Sequence, residues 1–325
     1  VIDFISHGPA IKSKAAMRKI VITGAAGLVG QNLVARLKSR QDLQLVGIDK
    51  HAANLRLFRQ VHPGVPVIEA DLAEPGEWTD SLAGADTVVI GQAQIGGLNQ
   101  AEYQANNVTA TRLVLEAVEK HAVPYFVGLS SSVVNSAADD FYTRSKGAQE
   151  QLYAASHVPH VVLRPTLMFG WFDRKHLGWL RRFMNQSPVF PIPGDGRFTR
   201  QPLYVGDLVS IVISSIERRK VGVFDISGLE KISYGDLIAL IHEIVKPRAR
   251  IVHIPYAMFW ALLWLYARVS ANPPFTTSQL EALVIPEIFP IIDWPGEFAI
   301  SATPLRQALS ETYLDPEFSP ITLSF

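Results

Sequence analysis

The chain contains no cysteine. Disulfides, thiolate metal sites and a cysteine nucleophile are therefore excluded. It has no excess charge of either sign: 30 lysines and arginines balance 30 aspartates and glutamates. That balance gives no support to a nucleic-acid or acidic partner. The nine histidines form neither an HExxH pattern nor a close cluster, and no metal is expected. A GxSxG elbow and a P-loop Lys-Ser/Thr signature are also missing. There is no long apolar run. The charge-free stretch Ile254 to Ala267 has 14 residues, against ~20 for a membrane span. It reads first as a buried helix, and second as an interfacial or partner-binding helix suited by Trp260, Trp264 and Tyr266. Residues 1–16 carry no continuous apolar stretch and read as an N-terminal extension rather than a signal peptide. With no secretory signature, a cytoplasmic setting is expected.

What is present is alternation. KIVIT, LQLVGIDK, VPVIEADL, ADTVVIG and YFVGLSSS read as strands, at Lys19 to Thr23, Leu43 to Lys50, Val65 to Leu72, Ala85 to Gly91 and Tyr125 to Ser132. Helical patterns separate several of them, notably Leu28 to Leu37 and Val108 to Lys120. Such units imply right-handed crossovers and an α/β fold, a doubly wound parallel sheet covered on both faces. An extended apolar pattern returns over Val158 to Gly170, then the alternation fades into a smaller mixed α/β lobe. We expect a dinucleotide-binding domain mainly over 17–170 and a substrate lobe mainly over 171–325, with chain crossing between them.

The segment GAAGLVG places Gly24, Gly27 and Gly30 between a strand and a helix. A Cβ at such a turn would obstruct a pyrophosphate, while the helix start, at Leu28 and Val29, offers unpaired N–H donors to the anion. Asp49 ends the second strand, 19 residues beyond Gly30. Its carboxylate suits ribose hydroxyls and opposes a ribose phosphate, which favours NAD over NADP; a strand-end cap is the plainer role. Asp71, beside Leu72, fits an adenine contact or a turn.

Further on, SSS at Ser130 to Ser132 precedes YTRSK, in which Tyr142 and Lys146 stand four residues apart on one helical face. Alone this spacing is common. Together with GAAGLVG, Asp49, Asp71-Leu72, NNVTATRLVLEA, RPTLMFG and PGDGRFTRQPLYVGDL, it resembles the extended short-chain dehydrogenase/reductase family, in its NAD-dependent epimerase/dehydratase branch. The resemblance implies a Rossmann-like fold, NAD as cofactor and, in many members, a nucleotide-sugar substrate. It assigns Tyr142 as catalytic acid/base, Lys146 as its charged partner and Ser131 or Ser132 as the hydroxyl holding the substrate oxygen. It also implies supporting roles for Asn107, in helix geometry or a proton route, and for Arg164, bracing its loop through backbone hydrogen bonds. Arg200 would meet a substrate phosphate.

The side chains themselves support the chemistry. Removing a hydroxyl proton during hydride transfer needs a base, and a free phenol, with a pKa of ~10, is a poor one at neutral pH. A lysine cation beside it stabilises the phenolate. Two features depart from the family pattern: VVNS follows the serines, and GQAQIGG ends the fourth strand. Three outcomes are expected from such a chain. It is an epimerase or dehydratase of a nucleotide sugar, an NAD-dependent alcohol/carbonyl oxidoreductase, or a noncatalytic NAD-binding protein docked to a membrane-associated complex. Family members often pair as homodimers through two large-lobe helices.

Overall fold

The structure, a computed structural model, describes residues 17–174, 177–269, 277–286 and 288–324; the extension read at 1–16 lies outside them. The chain begins with β1 (Arg18–Thr23), α1 (Leu28–Leu37), β2 (Leu43–Asp49), α2 (Ala52–Val61), β3 (Val67–Glu69) and β4 (Thr87–Ile90). Next come α3 (Gln100–Tyr103), a π-helical turn (Gln104–Thr109) and α4 (Ala110–Lys120). β5 (Phe126–Leu129), α5 (Phe141–Ala155), β6 (His160–Pro165) and β7 (Met168–Phe169) follow. Beyond them lie α6 (Gly178–Gln186), β8 (Val189–Pro193), β9 (Thr199–Arg200), β10 (Leu203–Tyr204), α7 (Val205–Arg218) and β11 (Gly222–Ile226). The remainder is β12 (Ile232–Ser233), α8 (Tyr234–Val245), β13 (Arg250–Ile254), α9 (Tyr256–Val269), α10 (Thr277–Val284), α11 (Trp294–Phe298) and α12 (Leu305–Leu314).

Among the described residues, seven strands form one parallel sheet in the order β11-β6-β5-β4-β1-β2-β3. Both its faces are covered, which is why IVIT, VVI, FVGL and VVL are unbroken apolar runs rather than alternating ones. Ile20, Ile22, Val127 and Leu163 pack with Leu33 and Val34 of α1 and Leu208 and Val212 of α7. Val21, Val88, Phe126 and Val162 turn to the other face, against Val114 and Val118 of α4 and Tyr153 of α5. A separate core of Leu180, Phe190, Ile192, Leu237, Ile241 and Leu309 holds α6, β8, α8 and α12 together. Strand order reverses at β1, flanked by β2 on one side and β4 on the other. The crevice at the carboxyl ends of β1 and β4 is where such sheets take ligands.

Proline sets two differences from the sequence reading. The strand expected from Val65 is laddered only over Val67–Glu69, because Pro66 has no N–H to donate and contributes only its carbonyl, to Gly47. The extended run 158–170 divides after Pro165, and β7 leaves the sheet to pair with β10.

The buried-helix reading of 254–270 is corrected. Within α9, Met258, Leu262 and Leu265 are 50%, 51% and 58% exposed. The helix is apolar all round, and among the described residues α10 lies beside it: the Trp260 indole N–H donates to Glu281 (3.0 Å). Among the described residues no helix is long and apolar enough to cross a membrane.

The last described segment returns to the first lobe. Asn54 of α2 exchanges two hydrogen bonds with the Ser324 backbone (3.0 and 2.8 Å), and Phe318 packs on Trp171 and Phe172. Beneath it His62 is buried, its Nε2 2.9 Å from the Gln31 carboxamide oxygen. Burial, aided by the Lys38 ammonium, lowers its pKa from 6.5 to about 4. Because the folded value lies below the unfolded one, the neutral ring stabilises the fold fully above pH 6.5, and this stabilisation is lost as pH falls toward 4. We expect a loss of about 3 kcal/mol over that window. Urea unfolding at stepped pH should show His62→Gln binding one proton fewer on unfolding there; an unchanged slope would refute the assignment.

Candidate active site

The glycine turn leaves β1 at Thr23. Gly24 has a φ of +66°, and a Cβ there would stand 2.7 Å from the Gln92 amide nitrogen and 2.8 Å from the Gly91 carbonyl. A Cβ on Gly30 would meet the Gly24 oxygen at 2.4 Å, so this position brings α1 tightly under the turn. Gly27 is the N-cap of α1 and provides no side-chain cap. The first-turn amides at Leu28 and Val29 thus face the crevice without a competing side-chain acceptor, while those two side chains pack against the second core. A backbone cradle at a helix amino end fits a pyrophosphate.

Asp49 braces this cradle. One carboxylate oxygen accepts the Ala26 amide and the other the His51 amide, both at 2.9 Å. Each oxygen keeps lone-pair capacity for a ribose hydroxyl, so the capping role and the ribose role coexist geometrically. Asp71 receives the Lys50 ammonium (2.8 Å) and the Ala73 amide (2.9 Å). Burial opposes its ionisation, but these contacts hold the carboxyl below the usual range. Lys50, also bonded to Asn106 (2.5 Å), is already paired. Leu72 is buried in the core beside Val46 and Ile48 of β2.

At the carboxyl end of β5 the chain enters a 3-10 turn capped by Ser131, whose hydroxyl accepts the Val133 amide. Ser132 is half-buried at the start of that turn. Asp140 caps α5 by accepting the Thr143 amide (2.7 Å), which fixes Tyr142 in the first turn of the helix. Burial raises the Tyr142 pKa, and the Ser131 hydroxyl draws it partly back. Ser131 is the serine whose hydroxyl acts on this phenol's titration, and Ser132 follows it at the start of the turn. One turn on, Lys146 is only 1% exposed. Its ammonium donates to the Leu129 carbonyl (2.8 Å) and to Gln149. Burial lowers its pKa to about 7, with the Glu150 carboxylate opposing the shift.

Asn107 sits fully buried in the π-helical turn, a geometry that often marks a functional site. It accepts the Gln94 amide (2.6 Å) and donates to Ser145 Oγ (2.8 Å), clamping the end of β4 to α5. Arg164 braces through side chains rather than the expected backbone bonds. Its guanidinium grips both Glu150 oxygens (2.8 and 2.6 Å) and reaches Asn135 (3.3 Å). Arg200 lies elsewhere, buried in the second lobe between Phe198 and Tyr234, with a hydrogen bond to the Ile285 carbonyl. Next to it, Gln201 ties Gly228 to Phe289. A cavity of about 240 Å³ in this lobe is lined by Tyr204, Asp207, Glu230 and Thr303, among others, and not by Tyr142 or Lys146.

Sequence reasoning missed Gln92, Thr111 and Gln149. The Thr23 hydroxyl donates to Gln92 Oε1 (2.5 Å), Gln92 Nε2 to Thr111 Oγ1 (3.2 Å), and Gln149 Nε2 to the same oxygen (2.7 Å). The readable signal was polarity out of place: Thr111 and Gln149 fall on the inward faces of α4 and α5.

Comparison with known proteins bears on this arrangement. The model of the NAD dependent epimerase/dehydratase family matches residues 20–226. A subunit of Arabidopsis thaliana, NADH dehydrogenase [ubiquinone] 1 alpha subcomplex subunit 9, mitochondrial, is 23% identical over 74% of this chain and 61% of its own length. An uncharacterized UDP-glucose epimerase of Bacillus subtilis is 27% identical over 71% of this chain and 83% of its own. Among solved structures, the Bordetella bronchiseptica enzyme WbmG in complex with NAD and UDP superposes with a TM-score of 0.72. It is 20% identical, and the match covers 97% of this chain and all of that one.

Proposed function

This chain belongs to the NAD dependent epimerase/dehydratase family, and from that premise we propose that it is an enzyme that holds NAD across the β1–β4 crevice and acts on a nucleotide sugar. The observation that carries this reading is the placement of Tyr142 in the first turn of α5 and of Ser131 after the carboxyl end of β5, with Lys146 buried one turn behind. The glycine turn would receive the pyrophosphate and Asp49 the adenosine ribose. Bound NAD would supply a hydride acceptor that can also return the hydride. Tyr142 Oη takes the hydroxyl proton of the substrate and gives it back; Ser131 holds the substrate oxygen; Lys146 stabilises the phenolate. Residues 17–170 would serve mainly the dinucleotide and 171–325 mainly the sugar. The Bacillus relative, named as a UDP-glucose epimerase, supports the substrate class.

Incubation of the full chain with NAD and a panel of UDP- and dTDP-sugars, together with small carbonyl compounds, tests the reading by product stereochemistry and NADH. Epimer formation without net NADH is expected. Stoichiometric NADH would instead make the chain an alcohol/carbonyl oxidoreductase. A second reading is favoured by the exposed apolar residues of α9: a noncatalytic NAD-binding protein that docks to a membrane-associated complex, in line with the name of the Arabidopsis relative. Tight NAD binding without turnover of any substrate in the panel would select it.

A further inference from the structure

The ammonium of Lys146 is held by neutral groups alone. Of its three N–H donors, one goes to the Leu129 carbonyl and one to the Gln149 carboxamide. The carboxylate one turn further along α5, Glu150, is instead engaged by the Arg164 fork. Gln149 is itself held rigidly. It is fully buried, and its amide nitrogen donates to Thr111, which also receives Gln92. Gln92 in turn accepts from Thr23, the residue before Gly24. A continuous line of amides and hydroxyls thus runs from the nucleotide turn, across α4, to the lysine.

We propose that Gln149 is a positioning residue for Lys146, anchoring the cation by an uncharged oxygen so that its field stays available to the Tyr142 phenol. The inference rests on the Tyr142–Lys146 reading above. The physical distinction is between a dipole and an ion. A carboxylate at this place would hold the ammonium as firmly, but would cancel most of its field at Tyr142. A carboxamide solvates the cation without adding a charge of its own. A buried ammonium needs acceptors, and both that Lys146 meets are neutral.

The test follows the phenol rather than turnover. Tyr142 is titrated by nuclear magnetic resonance in the full chain carrying isotope-labelled tyrosine with NAD present, and Tyr142→Phe identifies its signal. The groups acting on this phenol are Ser131 after β5, Tyr103 of α3 and Asp140 at the start of its own helix, on which Lys146 lies one turn further along. All are retained in the variants, except that Lys146 is changed in the control. Gln149→Glu is expected to raise the midpoint by about one pH unit or more. In a Lys146→Met background, where a buried glutamic acid without a cation stays protonated and neutral, the same change is expected to move it far less. Gln149→Met, similar in volume and unable to accept, is the second variant should the glutamate not fold. It too should raise the midpoint only when Lys146 is present. If Lys146→Met alone shifts Tyr142 but the Gln149 changes act equally in both backgrounds, this inference fails and the catalytic pair stands. If Lys146→Met leaves Tyr142 unmoved, the pair fails and the inference with it.

Discussion

Tyr142→Phe is expected to leave a folded protein that binds NAD while turnover falls by about a thousandfold, within the range for losing a positioned acid–base group. The ring stays half-buried beside Tyr103, their centroids 6.4 Å apart, and phenylalanine fills the same space. What is lost is the phenolic oxygen, whose titration the Ser131 hydroxyl influences. Without it the substrate hydroxyl has no carrier for its proton during hydride transfer, and Ser131 cannot substitute because an alcohol is a far weaker acid than a phenol and supplies almost no anion to take that proton at neutral pH. Calorimetric NAD affinity within about threefold of the parent, alongside lost epimer or NADH formation, would fit this role. Equal turnover of the two proteins on the true substrate would remove Tyr142 from the chemistry.

The second large effect is expected at the turn. Gly24→Ala places a side chain at a φ of +66°, where its Cβ would lie 2.7 Å from the Gln92 amide nitrogen and 2.8 Å from the Gly91 carbonyl. The left-handed conformation costs about 1–2 kcal/mol for a residue with a Cβ, and the clash is with backbone, which cannot rotate aside as a side chain can. Relief requires β1 and β4 to separate at their carboxyl ends, where the crevice is formed. NAD affinity should therefore drop by more than about a hundredfold, and urea unfolding should register about 2–4 kcal/mol of destabilisation. Parent-like affinity in this variant would mean the turn does not cradle the dinucleotide.

The large sheet was legible because its physics is local and repetitive. Runs such as KIVIT and TVVI can be nothing but buried strands when helices lie on both sides, and the GAAGLVG turn announces its own geometry through residues without a Cβ. Tyr142 and Lys146 were legible for the same reason, since four residues along a helix fix a shared face. Position in space was harder wherever periodicity carries no information. Helix α9 is apolar around its whole circumference, so its sequence could not say which side, if any, would be covered. Arg200 belongs to a two-residue strand paired with β12, and its burial between Phe198 and Tyr234 follows from the packing of the second lobe. Arg164 found its partner in Glu150, a contact between a strand and the helix preceding it that no motif encodes. Gln92, Thr111 and Gln149 lie far apart along the chain and meet only once α4 and α5 have packed against the sheet.

The clip between Asn54 and Ser324 has a consequence for the order in which the molecule is completed. During synthesis the glycine turn, α2 and His62 leave the ribosome long before Phe318 and Ser324 exist. Until those residues emerge, the imidazole and the aromatic shelf around Trp171 stand open to water. The nucleotide lobe therefore acquires this shielding only once residues 318–324 have been made, and a chain stopped before them would leave that apolar surface uncovered.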